Sequence, residues 1–156
     1  MKMDVSLINP FIDGIVRTME MMTQSKPVRT NVYLKDDGSF KGDVHAVMSF
    51  TGEVAGTFVL SFKSETACLV VSRMLGSECK SLDLIVMDGI CEISNMVSGH
   101  AKTELWRANH KFMLGLPEGH KSDEMVSTQW KGSTFLFADF DLEGKAFSAG
   151  IRFENR

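Results

Sequence analysis

The segment DGICEISNMVSGHAK, residues 88–102, sets Asp88, Glu92, Asn95 and Gly99 four, three and four positions apart. An α-helix turns about 100° per residue, so with Asp88 at zero, Glu92 falls near 40°, Asn95 near −20° and Gly99 near 20°. Two carboxylates and a carboxamide then share one narrow line. Val86, Ile90, Ile93 and Val97 gather at roughly 140–200° and mark the side that must face a core. The polar line therefore points away from it. Such a line is either a solvated helix face or a surface for a partner, and the spacing alone assigns no reaction.

Gly89 and Gly99 also bear on that choice. A glycine inside a helix costs about 1 kcal/mol relative to alanine, so each calls for a reason such as close packing. Gly89, near 100°, suits the approach of another helix or of a sheet. Gly99 lies on the polar line itself, where the approaching body would be a partner. Lys102, near −40°, can extend the same line.

Other chemistry is poorly supported. His45, His100, His110 and His120 show no H-E-x-x-H spacing, and the chain has no Walker loop, G-x-S-x-G elbow or dinucleotide-type glycine pattern. Cys68, Cys79 and Cys91 are odd in number with no C-x-x-C pair, which argues against a disulfide framework and a thiolate zinc site. Cys91 adjoins Glu92 but turns about 100° away from it. The 17 Lys and Arg against 20 Asp and Glu leave a net charge of −3, which attracts neither phosphate backbones nor anionic lipid. Neither nucleic acid nor membrane is expected as a partner.

The 156 residues, 44% hydrophobic and 24% charged, match one folded domain over 1–156. The longest apolar runs, such as CLVV at 68–71, fall far short of the ~20 residues a bilayer span needs. The opening MKMDVSLINP meets Asp4 and Asn9 before any apolar core of a secretory signal can form, so a cytoplasmic location is expected.

The elements that must position the polar line follow from periodicity. Leu7, Phe11, Ile15, Met19 and Met22 describe an amphipathic first helix, with Asn9 and Pro10 as start signals. Val28, Thr30, Val32 and Leu34 alternate as in a half-buried strand, and DDGS at 36–39 turns the chain. Val44, Ala46, Met48 and Phe50 form a second strand, and Phe58, Leu60 and Phe62 a third, giving two antiparallel hairpins. Ser64 can cap a short helix closed by Gly76. Ser81 can cap a longer one running to about Trp106, with Asp83 in its first turn. After a loop over GLPEGHKSDE, alternation returns at Val126, Thr128 and Trp130, at Phe135 and Phe137, and at Phe147, Ala149, Ile151 and Phe153. The expected fold class is α+β, a mostly antiparallel sheet of about six strands with two long helices and one short helix packed on it.

The order Asp88, three residues, Glu92, two residues, Asn95, then twenty-one residues and Pro117 resembles the signature of the CheC/CheX chemotaxis phosphatases. INPFI, SFKSETACLVVSRMLG and NMVSGHAKTEL are similar to the corresponding CheX segments, and the resemblance covers nearly the whole chain. It implies a CheC-like fold of the single-motif CheX type. After the proline, PEGHKSD is charged where relatives tend to carry a small or β-branched apolar run.

The implied substrate is the aspartyl phosphate of a CheY-like response-regulator receiver, with Glu92 and Asn95 entering the receiver's active site. An acyl phosphate is already activated and chiefly needs a water held in line with phosphorus. Asn95 can orient that water without adding negative charge, and Glu92 can pair with a receiver cation. Asp88 is a further partner contact if it faces a cation, and Gly99 leaves the partner room. Mg²⁺ belongs to the receiver, so no metal site is expected in this chain. The resemblance also implies a homodimer formed through the sheet. The competing expectation is a non-catalytic receiver-binding module akin to the flagellar switch domains.

Overall fold

The computed structural model describes residues 5–36, 38–122, 130 and 132–154. Apolar residues recurring every three or four positions wind Val5–Thr23 into α1, whose Phe11, Ile15 and Met19 are wholly buried. Asn9 and Pro10 lie inside this helix rather than at its start. Ser64–Leu75 form α2 and Leu84–Arg107 form α3. At about 1.5 Å per residue α3 is roughly 36 Å long. The strands are β1 (Val28–Lys35), β2 (Val44–Gly52), β3 (Gly56–Phe62), β4 (Phe112–Leu114), β5 (Glu118–Lys121), β6 (Phe135–Leu142) and β7 (Lys145–Phe153).

Among the described residues, seven strands form one antiparallel sheet in the order β1-β6-β7-β3-β2-β4, with β5 also paired to β2. The three helices cover one face. Side chains alternating along the strands, among them Ala46, Phe50, Leu60, Phe140 and Ile151, meet Ile15, Val70, Ile90, Ile93 and Val97 in the main core. The opposite face carries a smaller cluster of Val59, Trp130, Phe135 and Phe137, with Phe40 and Tyr33 packed against it. Phe40 contacts the rings of Trp130, Phe135 and Phe137 at 5.1–6.0 Å between centroids.

Several expectations change here. β1 does not form a hairpin with β2; it pairs with β6 at the far edge of the sheet. The connection after β1 instead reaches back across the sheet, and Phe40 holds it to the face without helices. Val28, Val32 and Leu34, on a strand at the edge of the sheet, are exposed at 62%, 44% and 60%, not half-buried. The expected loop after α3 contains two short strands. Gly115 donates its N–H to the Ser49 carbonyl at 2.8 Å, and Pro117, which has no N–H to give, sits between β4 and β5. The strand expected at Val126–Trp130 has Val126 and Thr128 outside the described residues; Trp130 is buried.

The helix starts also differ from expectation. The α3 cap is Asp83, whose carboxylate accepts the Val86 N–H at 3.1 Å, and not Ser81. Ser64 is the first residue of α2 and caps nothing itself. Asp43, just ahead of β2, accepts both its N–H at 2.8 Å and its hydroxyl at 3.0 Å. These bonds hold the Asp43 carboxyl below its usual range, led by the Ser64 backbone N–H. Gly76 closes α2 in the left-handed conformation, with φ of 68°.

Candidate functional site

The site is built on α3, which lies across the sheet with one line of side chains sealed into the core. Val86, Ile90, Ile93 and Val97 are all 0% exposed. Each such burial contributes about 1.5–3 kcal/mol, so the rotational setting of the helix is firmly held. That setting turns Asp88, Glu92 and Asn95 outward, where all three are exposed. The residues aligned by spacing thus share one open face.

The two glycines serve different neighbours. A Cβ on Gly89 would lie 2.5 Å from Val71 Cγ2 and 2.8 Å from Val71 Cγ1, so its missing side chain lets α2 approach α3. A Cβ on Gly99 would meet nothing within 4 Å. Among the described residues, nothing crowds the outward line there. Gly14 plays the close-approach role between α1 and α3, since a Cβ there would lie 2.9 Å from the Val97 carbonyl oxygen.

Beside the Asp88 end of the line runs an open groove of about 700 Å³, lined by Leu84, Met87, Asp88, Cys91, Pro117 and Lys121 among others. Its far wall is β5, and a Cβ on Gly119 would lie 2.7 Å from Met87 Cε. The expected loop had no wall to offer, so this groove was not foreseen. Burial pushes the Cys91 thiol up, with the Asp88 carboxylate adding to the effect, which keeps it protonated and a poor nucleophile.

At the other end, Trp106 lies five helical turns after Asp88 and hence in the same phase. It is 41% exposed, its indole N–H donates to the Phe112 carbonyl at 3.2 Å, and the ammonium groups of Lys102 and Lys111 stand 5.2 and 5.9 Å from its ring centroid. The helical phase could have flagged Trp106. Lys111, from beyond the helix, carried no such signal.

The histidines do not converge on this face. His45 is buried on the opposite face of the sheet, with Nδ1 3.0 Å from Ser61 Oγ and Nε2 3.3 Å from Ser122 Oγ. Burial, with a smaller contribution from His120, lowers its pKa to about 4 against the pull of Asp43. Among the described residues, no group of three or more His, Cys, Asp or Glu side chains is placed to hold a metal ion. Among the same residues, no helix is long and apolar enough to cross a membrane.

Three helices on one face of a seven-stranded antiparallel sheet, with α3 turning a Glu/Asn pair outward, define a CheC-like fold. The chain is similar to a CheC-like superfamily protein from Shewanella sp. PV-4, at 25% identity and a TM-score of 0.87 over 98% of this chain and 100% of that one. Residues 44–141 match the family model described as chemotaxis phosphatase CheX, and the chain belongs to that family. A curated relative, the CheY-P phosphatase CheX of Thermotoga maritima, is 29% identical over 104 residues, 66% of this chain and 67% of its own length. The CheX–CheY–BeF3–Mg²⁺ complex from Borrelia burgdorferi matches with a TM-score of 0.82 at 25% identity, covering 99% of this chain and 100% of that one.

Proposed function

We propose that this protein hydrolyses the aspartyl phosphate of a CheY-like receiver. The observation that carries the reading is the joint exposure of Glu92 and Asn95 on one face of α3, in a chain of the CheX family. A relative of similar fold forms a complex with CheY, BeF3 and Mg²⁺, which supports a receiver as the partner and the receiver as the seat of the metal.

The chemistry asked of the chain is modest. The Asn95 carboxamide offers a donor and an acceptor to one water and holds it in line with phosphorus. Being neutral, it adds no repulsion to an attack on a phosphoryl group already crowded with negative charge. Glu92, one helical turn earlier, pairs with a receiver cation and sets the register in which the carboxamide arrives. Asp88 stands a turn earlier again, beside the groove, and accepts a second cation. Gly99 presents bare backbone on the other side of Asn95, so the receiver can close against the helix.

The test is phosphate release from a phosphorylated receiver with Mg²⁺, assayed over a panel of the organism's own receivers. The unaltered protein accelerates loss of phosphate from at least one of them, and Asn95→Ala slows the stimulated rate by about a hundredfold, the scale of losing one transition-state contact. Docking with turnover indifferent to Asn95 would assign the chain to the non-catalytic receiver-binding modules instead. The same family reading carries a homodimer joined through the sheet, for which the exposed apolar edge of β1 is the candidate surface.

A further inference from the structure

The outward line of α3 does not end at Gly99. It runs on through Lys102 to Trp106, and its charge changes sign on the way: Asp88 and Glu92 lie before Asn95, Lys102 after it. Lys111, carried in on the chain just after α3, adds a second ammonium beside the same indole, so that two lysine heads lie within 6 Å of the Trp106 ring centroid. The ring is not free to swing, because its N–H is tied to the Phe112 carbonyl. The neighbouring cation, Arg107, is already paired with Glu104 at 3.0 Å. The Glu53 carboxylate lies against the backbone N–H of Lys111.

A half-exposed tryptophan flanked by ammonium groups within about 6 Å is a pre-ordered surface, since the ring's electron-rich faces hold the lysine heads in place without neutralising them. Tryptophan is also the side chain most often found to dominate an interface, because it buries a large area at little entropic cost. Two positive charges held this way call for carboxylates. Lys102 is seven positions beyond Asn95 and Trp106 eleven, which at 1.5 Å per residue is about 10 and 16 Å.

Resting on the phosphatase reading, we propose that Lys102, Trp106 and Lys111 form a second anchor for the receiver, a cationic aromatic platform that takes carboxylates lying about 10–16 Å from its phosphoaspartate. With Asp88 and Glu92 at the opposite end, the line is bipolar. A receiver can lie along it in one direction only, because the reversed pose sets like charges against each other at both ends. The platform thereby positions the partner and selects among receivers, while Asn95 acts on the phosphoryl group.

Two measurements on one receiver separate this inference from the reading beneath it. Turnover by the unaltered protein tests the phosphatase; binding of the same receiver loaded with beryllofluoride and Mg²⁺ tests the platform. The double substitution Lys102→Glu with Lys111→Glu is expected to weaken binding and raise KM about tenfold while kcat stays within about twofold, as for loss of electrostatic steering and anchoring. Lys102→Arg retains the affinity. Added salt weakens binding of the unaltered protein more steeply than that of the double variant.

A receiver that binds but is not dephosphorylated overturns the phosphatase and leaves the platform to be judged on binding. Unchanged affinity and KM in the double variant overturn the platform, as does a change in oligomeric mass, which would make this patch a contact between copies of the chain. Failure of the unaltered protein to bind any loaded receiver overturns both.

Discussion

At the scale of single residues, His45 and Asn95 stand on opposite sides of the sheet and answer to pH differently. The His45 imidazole is held neutral in the folded chain, with a pKa lowered to about 4 from its ordinary 6.5. Well above pH 6.5 neither the folded nor the unfolded chain protonates it. As pH falls from 6.5 toward 4, the unfolded chain gains the proton first, so stability is lost across that window, by about 3 kcal/mol at most. Denaturant unfolding at stepped pH checks this, and His45→Gln should flatten the decline between those limits. A carboxamide does not titrate, so Asn95 itself introduces no pH dependence into turnover. Asp88, Glu92 and Asn95 were legible as an exposed line because exposure on a helix follows from the phase of its buried residues.

At the scale of elements, Gly89 and Gly99 look alike in the sequence and differ in what stands over them. Gly89→Ala drives a methyl group into Val71, a buried and β-branched neighbour of α2 that cannot turn aside. Overpacking of this kind costs about 1–3 kcal/mol, more than the ~1 kcal/mol the alanine returns in helix propensity. Gly99→Ala meets open space and keeps that gain. Thermal melts should therefore move in opposite directions, down for Gly89→Ala and up for Gly99→Ala. A higher melting temperature for Gly89→Ala would show that the α2–α3 contact does not require glycine. The existence and facing of the helices were readable from their period. Their caps were less so: Asp83 and Ser81 compete as local signals, and the α2 start is served by Asp43, twenty-one residues away.

At the scale of the whole molecule, the two edges of the sheet are finished differently. One is covered piecemeal by β4 and β5; the other is β1, eight residues long with Val28, Val32 and Leu34 exposed. A long apolar edge strand left bare is a template for pairing with another chain. Light scattering at micromolar concentration is expected to give twice the 17.3 kDa chain mass, and Val32→Lys, which places a charge on the edge, should shift the protein toward monomer. A monomeric mass for the unaltered protein would remove β1 as a dimer edge.

What the sequence determined by itself was everything set by a local repeat: the core-facing and outward-facing lines of α3 and the alternation along β2, β3 and β7. The tertiary structure decided which strand lies beside which. Alternation marks β1 as a strand but is silent on its partner, and only the crossing held by Phe40 sends it to β6 instead of β2. β5 is polar and follows a proline, so no period announced it; pairing with β2 made it a strand and gave the Asp88 groove its wall. Lys111 reached Trp106 by the same kind of long-range choice. Periodicity encodes which way a residue faces, whereas a groove or a platform depends on residues brought together from different elements.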